Sequence, residues 1–143
     1  MMQAQEQKQY IEFGIGEFTY AIKIAEVHEI IRMQPITDIP HSRPDVRGVF
    51  SLRGKVVPVI GLRTLFQLPR EVETKSTRIV VVGYREQSVG LIVDRVNKVT
   101  SYAEIHPAPE QAGSDSGKFL HGIGLRDKQL VGILKLDEVL LSE

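Results

Sequence analysis

The sequence has no cysteine and no tryptophan. The first absence excludes disulfides, thiolate nucleophiles and Cys-ligated zinc or iron–sulfur sites, and it fits a reducing, cytoplasmic compartment. The second, with an aromatic share of 6% against 42% apolar residues, leaves a core built mainly from Val, Ile and Leu. Those side chains suit a pleated strand surface. Net charge is missing too, since 18 basic residues balance 18 acidic ones. Nucleic-acid binding wants a positive patch or stripe, so no nucleic acid is expected as a partner. The longest strong apolar run, Ile79 to Val82, falls far short of a membrane-spanning helix, and no direct membrane insertion is expected. Residues 1–9 are polar, do not resemble a secretion signal, and are expected to form a disordered tail.

What is present reads as mostly β. Ile11, Phe13 and Ile15 alternate with Glu12, Gly14 and Gly16, the period of a half-buried strand. Phe18, Tyr20 and Ile22 return after a Gly16-Glu17 turn. The spacing of Ile24, Val27 and Ile31 suggests a short helix or helical turn over residues 23–30, although Val27 and Ile30 also suit an extended chain. Three prolines between Gln34 and Pro44 mark an irregular connection. Residues 46–52 and 55–60 form a hairpin around Arg53-Gly54, and Pro58 assigns the second strand to an edge or a bulge, because proline has no N–H to donate. Leu62, Leu65 and Phe66 match one helical turn. The polar stretch 69–77 is the best linker, and strands over 78–84 and 87–93 follow. Residues 103–118 read as a long irregular surface loop. A last hairpin, 119–125 with 129–134, leads to a closing helix with Leu136, Val139 and Leu140, capped by Asp137.

The chain echoes itself. Tyr20 to Ile30 aligns without gaps on Val89 to Val99, and Leu52-Arg53-Gly54-Lys55 resembles Leu125-Arg126-Asp127-Lys128. One small β unit used twice accounts for this; chance similarity between β-rich stretches is the alternative. The halves run over about 10–68 and 78–143, within one domain, and strands exchanged between them are allowed.

No catalytic or metal motif is present: there is no Gly-Xaa-Ser-Xaa-Gly, no phosphate-binding Gly-rich loop and no His-Glu-Xaa-Xaa-His. His28, His41, His106 and His121 are scattered and read as structural or surface residues. Asp94 follows a hydrophobic strand, where a carboxylate caps a turn through backbone N–H groups. Arg53 is displayed at a hairpin tip beside Gly54, whose freedom to adopt positive φ suits the turn. With Val27 and Glu29 nearby, it suggests an apolar groove edged with charge, the anatomy of a protein-binding patch. An acid on a partner or the chain's own Glu29 are both within its reach.

Several of these segments, in order, resemble the CheW family, the coupling proteins of bacterial chemotaxis. They are Phe18 to Ile22 leading into Val27 to Ile30, Ile36 to Pro40, Val46 to Arg63, Val89 to Val96, and Leu120 to Gly124. The resemblance implies two intertwined five-stranded, SH3-like barrels with short helical turns around a shared seam. It implies an adaptor with no catalytic residues, no cofactor and no metal, which joins a chemoreceptor's cytoplasmic tip to the regulatory domain of a histidine kinase. Such a protein is cytoplasmic and recruited to membrane-associated receptor arrays. The kinase would face one barrel and the receptor the groove between the two. On these grounds Val27, Glu29 and Arg53 are candidates for the binding surface, and Gly48, Gly54, Pro58 and Gly61 for structural turns.

The chain departs from the family pattern at Ser51, where Asn is usual, and at Gly61, where Asp is usual; the second change removes a turn hydrogen bond. A divergent paralogue in a pilus-motility or other non-flagellar array is therefore the alternative reading. A small enzyme with a site built in the 103–118 loop is a remoter one, weakened by the lack of a nucleophile, base and orienter set.

Overall fold

The computed structural model describes residues 8–40, 43–69, 73–107 and 119–141. Alternating Val, Ile and Leu positions produce β1 (Tyr10–Ile15), β2 (Phe18–Lys23), β3 (Val27–Arg32), β4 (Val46–Leu52) and β5 (Lys55–Gly61), followed by a one-turn helix α1 (Leu62–Leu65). The second half gives β6 (Arg78–Tyr84), β7 (Gln87–Val93), β8 (Arg95–Thr100), β9 (Ile105–Pro107), β10 (Leu120–Arg126), β11 (Gln129–Leu134) and α2 (Leu136–Leu141). No helix among the described residues is long and apolar enough to cross a membrane.

Two barrel-like sheets result, one in the order β8-β1-β2-β11-β10-β9 and the other β3-β6-β7-β5-β4. The first hairpin of each half thus lies in the sheet of the other half. Connection length forces this exchange. The place beside β1 takes a strand parallel to β2, and a parallel return along the same sheet needs a dozen or more residues. Between β2 and β3 there is only the single 3-10 turn Ile24–Glu26, and between β7 and β8 only Asp94, so the chain steps across to the opposite sheet. Of the segment expected as a helix, residues 27–30 are strand: edge pairing of Val27 and Ile30 with Val82 and Val80 outweighs their helical spacing.

The sheets share one plan. β5 pairs in parallel with β7 through Val59 and Gly90, as β11 does with β2 through Ile133 and Ala21. The first sheet has six strands where five were expected because β9 adds to β10; in the second sheet the corresponding contact shrinks to a bridge between Thr37 and Val49. The echo at the second hairpins is one residue out of register. The residues with positive φ are Arg53 and Gly54 in one turn and Asp127 and Lys128 in the other, so Arg126 corresponds to Leu52 rather than to Arg53. One residue's slip turns a side chain to the opposite face.

Period-two alternation fills three cores. Phe13, Ile15, Ile22, Val80, Val82, Leu91 and Val93 meet in the seam between the sheets, joined by Leu62, Phe66 and Phe119. An aromatic file, Tyr20 on Phe66 at 5.0 Å and Phe66 on Phe119 at 5.6 Å, runs through it. Inside the second sheet lie Phe50, Val57, Val59, Ile79, Val81 and Ile92; inside the first lie Tyr10, Ala21, Tyr102, Val131 and Ile133.

Three turn assignments change. Gly48 is a mid-strand bulge residue with φ 142°, where any Cβ would run into the Thr37 carbonyl. Gly61 is extended, ends β5 and precedes α1 without a side-chain cap; a Cβ there would press on Arg47. Pro58 lies in an interior strand, yet β7 pairs only with Val59 to Gly61, so the proline faces no ladder partner on that side. At the C-terminal helix, Asp137 lies within the first turn rather than before it. His41, residues 1–7 of the expected tail, 70–72 of the expected linker and 108–118 of the expected loop lie outside the described residues.

Candidate functional site

The candidate surface forms where β3 passes the β4–β5 hairpin tip. β3 bulges at His28: Val27 pairs with Val82 and Glu29 with Val81. In a regular strand Val27 and Glu29 would share a face, but a bulge re-aims the side chains beyond it. Val27 and Ile30 consequently pack on the seam core, whereas Glu29 emerges on the opposite face, beside Arg53. Arg53 and Gly54 both take left-handed conformations, φ 53° and 81°, so the arginine shares the strain of the turn that glycine alone was expected to absorb. From this tip the Arg53 guanidinium donates to the Glu29 carboxylate. The pair bridges β3 and the β4–β5 hairpin tip on an open surface, with 71% of the Arg53 side chain exposed. Of the two partners open to Arg53 from sequence, the structure has it on Glu29. The cleft alongside is lined by Glu26, His28, Lys55, Tyr84, Arg85 and Ser88, and is polar rather than apolar. Val27 is half-buried, which gives it a packing role as well as any contact with a partner.

Asp94 does more than cap a local turn. It accepts the Gly16 N–H across 78 residues at 2.6 Å and takes Nη2 of Arg63 at 2.7 Å, while Arg95 donates to the Gly16 carbonyl. The crossing from β7 to β8 is thereby tied to the β1–β2 turn and to α1. Burial pushes the Asp94 carboxyl up, but hydrogen bonds from Arg63 and Gly16 and the charges of Arg63 and Arg95 outweigh it and hold the group below the usual range.

Glu12 carries the largest surprise. Its place between Ile11 and Phe13 marks it as solvent-facing, yet it is fully buried, because β1 is an interior strand with both faces covered. Its carboxylate accepts two bonds from Arg126, each 2.9 Å, and the Tyr102 hydroxyl at 2.7 Å. Burial alone would raise its pKa, but the Arg126 and Tyr102 hydrogen bonds and the Arg126 and Lys98 charges bring it below the ordinary carboxylate value. Tyr102 moves the opposite way, raised by burial and by the adjacent carboxylate. Arg126 therefore turns inward onto Glu12 from the rim of the sheet with its side chain largely covered, and is not a solvated hairpin tip. The mis-registered echo hid it; the signal available was an Arg just before an Asp-Lys turn, whose strand alternation points inward.

Among the described residues, His28, His106 and His121 are exposed, and no three His, Asp or Glu side chains gather to hold a metal ion.

A family model described as CheW-like domain matches residues 9–143. The chain is 38% identical over 141 residues to the chemotaxis protein CheW of Helicobacter pylori, covering 97% of this chain and 85% of that one. It is 36% identical over 135 residues to the chemotaxis protein CheW of Bacillus subtilis, covering 93% and 86%. The crystal structure of the scaffolding protein TtCheW from Thermoanaerobacter tengcongensis matches with a TM-score of 0.85 at 33% identity, over 95% of this chain and 89% of that one. With the two exchanged barrels, these matches along nearly the whole length make this chain a member of the CheW-like domain family.

Proposed function

We propose that this chain is a chemosensory coupling adaptor, joining the cytoplasmic tip of a chemoreceptor to the regulatory domain of a histidine kinase at membrane-associated arrays. Its relatives are named chemotaxis and scaffolding proteins. The observation that carries the choice of surface is the exposed Arg53–Glu29 bridge, which ties the edge strand β3 to the β4–β5 hairpin tip at one charged, open face. An exposed ion pair adds little to stability, so its value lies in presenting a defined shape and charge.

Titration calorimetry with a receptor cytoplasmic fragment and with the kinase regulatory domain tests this. Arg53→Glu is expected to weaken binding to at least one of them by about tenfold or more, since repulsion from Glu29 compounds a lost charge-assisted hydrogen bond. Restoration by Glu29→Arg in the same chain would show that the internal bridge shapes the site. Lys128→Glu, at the corresponding tip of the other sheet, serves as the control and is expected to bind normally. Unchanged affinity of folded Arg53→Glu for both partners would remove this face from the binding surface.

A further inference from the structure

Glu12, Tyr102 and Arg126 occupy in the first sheet the three places that Val81, Met33 and Leu52 occupy in the second. Tyr10 pairs with Thr100 as Ile79 pairs with Ile31; Glu12 and Val81 lie two residues beyond one member of each pair, Tyr102 and Met33 two beyond the other. Arg126 and Leu52 end β10 and β4, each opposite the first residue of the following strand. One trio is apolar and belongs to or packs on the core of its sheet. The other is a phenol and a guanidinium around a carboxylate with no exposure. Apolar residues of similar volume often serve stability as well as a buried ion pair, whereas such a pair can decide which segments associate.

The repeat creates such a decision. Hairpins β1–β2 and β6–β7 have the same form, and two frames receive them: β8 with β10–β11, and β3 with β4–β5. Within one chain the short crossings settle the matter. Between two chains they do not, and the β1–β2 hairpin of one copy can enter the β3–β5 frame of another. There Glu12 would face Met33 and Leu52 in place of Tyr102 and Arg126, and would lie opposite the Glu29 carboxylate, which already holds Arg53, where its own sheet offers Lys98. We propose that the Glu12–Arg126–Tyr102 triad is an address, admitting β1–β2 only to the frame of β8, β10 and β11 and so preventing hairpin exchange with a second copy of this chain during folding.

Refolding of the full chain with reporter thiols tests the address. Arg32 pairs with Arg78, and Gln9 precedes Tyr10 as Arg78 precedes Ile79, so misplaced hairpins bring position 9 of one copy opposite position 32 of another. The chain has no cysteine of its own. With Gln9→Cys and Arg32→Cys added, refolding in oxidised glutathione is expected to give little disulfide-linked dimer. Adding Glu12→Val, Tyr102→Met and Arg126→Leu is expected to raise the dimer fraction by about fivefold or more, as removal of a repulsive element relaxes specificity. A Gln9→Cys, Lys135→Cys pair measures random coupling and should not respond. An unchanged dimer fraction in the folded triple variant overturns the proposal. Should that variant not fold, Glu12→Gln decides alone: a higher dimer fraction supports the address, and an unchanged one overturns it.

Discussion

Severed within residues 69–77, the two fragments are expected to lack cooperative structure separately and to regain it on mixing. Each half contributes its first hairpin to the other's sheet, so the cut removes both flanking strands from β1–β2, namely β8 and β11, and both from β6–β7, namely β3 and β5. The amino-terminal piece would retain β1–β2 and β4–β5 as isolated hairpins, with β3 unpaired, and isolated hairpins are at best marginal in water. The seam core would be halved as well, since Phe13, Ile15 and Ile22 come from one fragment and Val80, Leu91 and Val93 from the other. Circular dichroism melts of each fragment and of their equimolar mixture provide the check. A cooperative melt of either fragment as a monomer would show that a half is sufficient, contrary to the exchanged topology.

Arg126→Ala is expected to cost about 3–5 kcal/mol, the range for breaking a buried ion pair from one side. Glu12 has no exposure, and the substitution would remove two of its three hydrogen bonds together with its countercharge. The Tyr102 hydroxyl would be its one remaining hydrogen bond, with the charge of Lys98 on the neighbouring strand. Against a typical stability of roughly 5–15 kcal/mol this loss is a large fraction of the whole. Urea titration of wild type and variant measures it directly, and a loss below about 1 kcal/mol would mean that water or a neighbour replaces the guanidinium.

The same carboxylates set the acid limit. Glu12 and Asp94 are both held below their ordinary values in the folded chain. A depressed folded pKa contributes stability that is fully present above the unfolded value, near pH 4, and is lost as pH falls through the folded one. The stability that these two groups supply is therefore expected to be level from pH 7 to about 5 and to decline below about 4, while Glu26, raised by burial, works the opposite way as it takes up its proton. Glu12→Gln should decline less steeply, and an identical acid slope in the two proteins would remove Glu12 as a contributor.

Strands and turns were legible because their causes are local. Alternation at Ile11, Phe13 and Ile15 and the Arg53-Gly54 turn report on neighbours in sequence, and β1, β4, β5, β6 and β7 match them closely. The family resemblance then supplied the two barrels, which no local signal contains. What escaped was long-range. Glu12 looked exposed because alternation cannot tell a half-buried strand from one covered on both faces. Asp94 looked like a local cap because its partners, Gly16 and Arg63, are distant in sequence. Arg126 was hidden by a one-residue misalignment that sequence similarity alone had no means to correct. At the candidate surface, Glu29 and Arg53 could be named and their bridge foreseen as one of two options, but the bulge at His28 that separates Glu29 from Val27 leaves no mark in composition or period.

The exchange of hairpins also places this chain on a clock. β2 finds its parallel partner β11 more than one hundred residues later, and at translation rates of roughly 5–20 residues per second that is a wait of several seconds or more. Until β8 is made β1–β2 is a hairpin with two open edges and an apolar face, and until β11 is made its β2 edge stays open, the kind of surface on which nascent chains associate wrongly. A ribosome making this protein can release the second sheet once Val93 has emerged, but the first sheet to begin is completed only by the last strand to emerge.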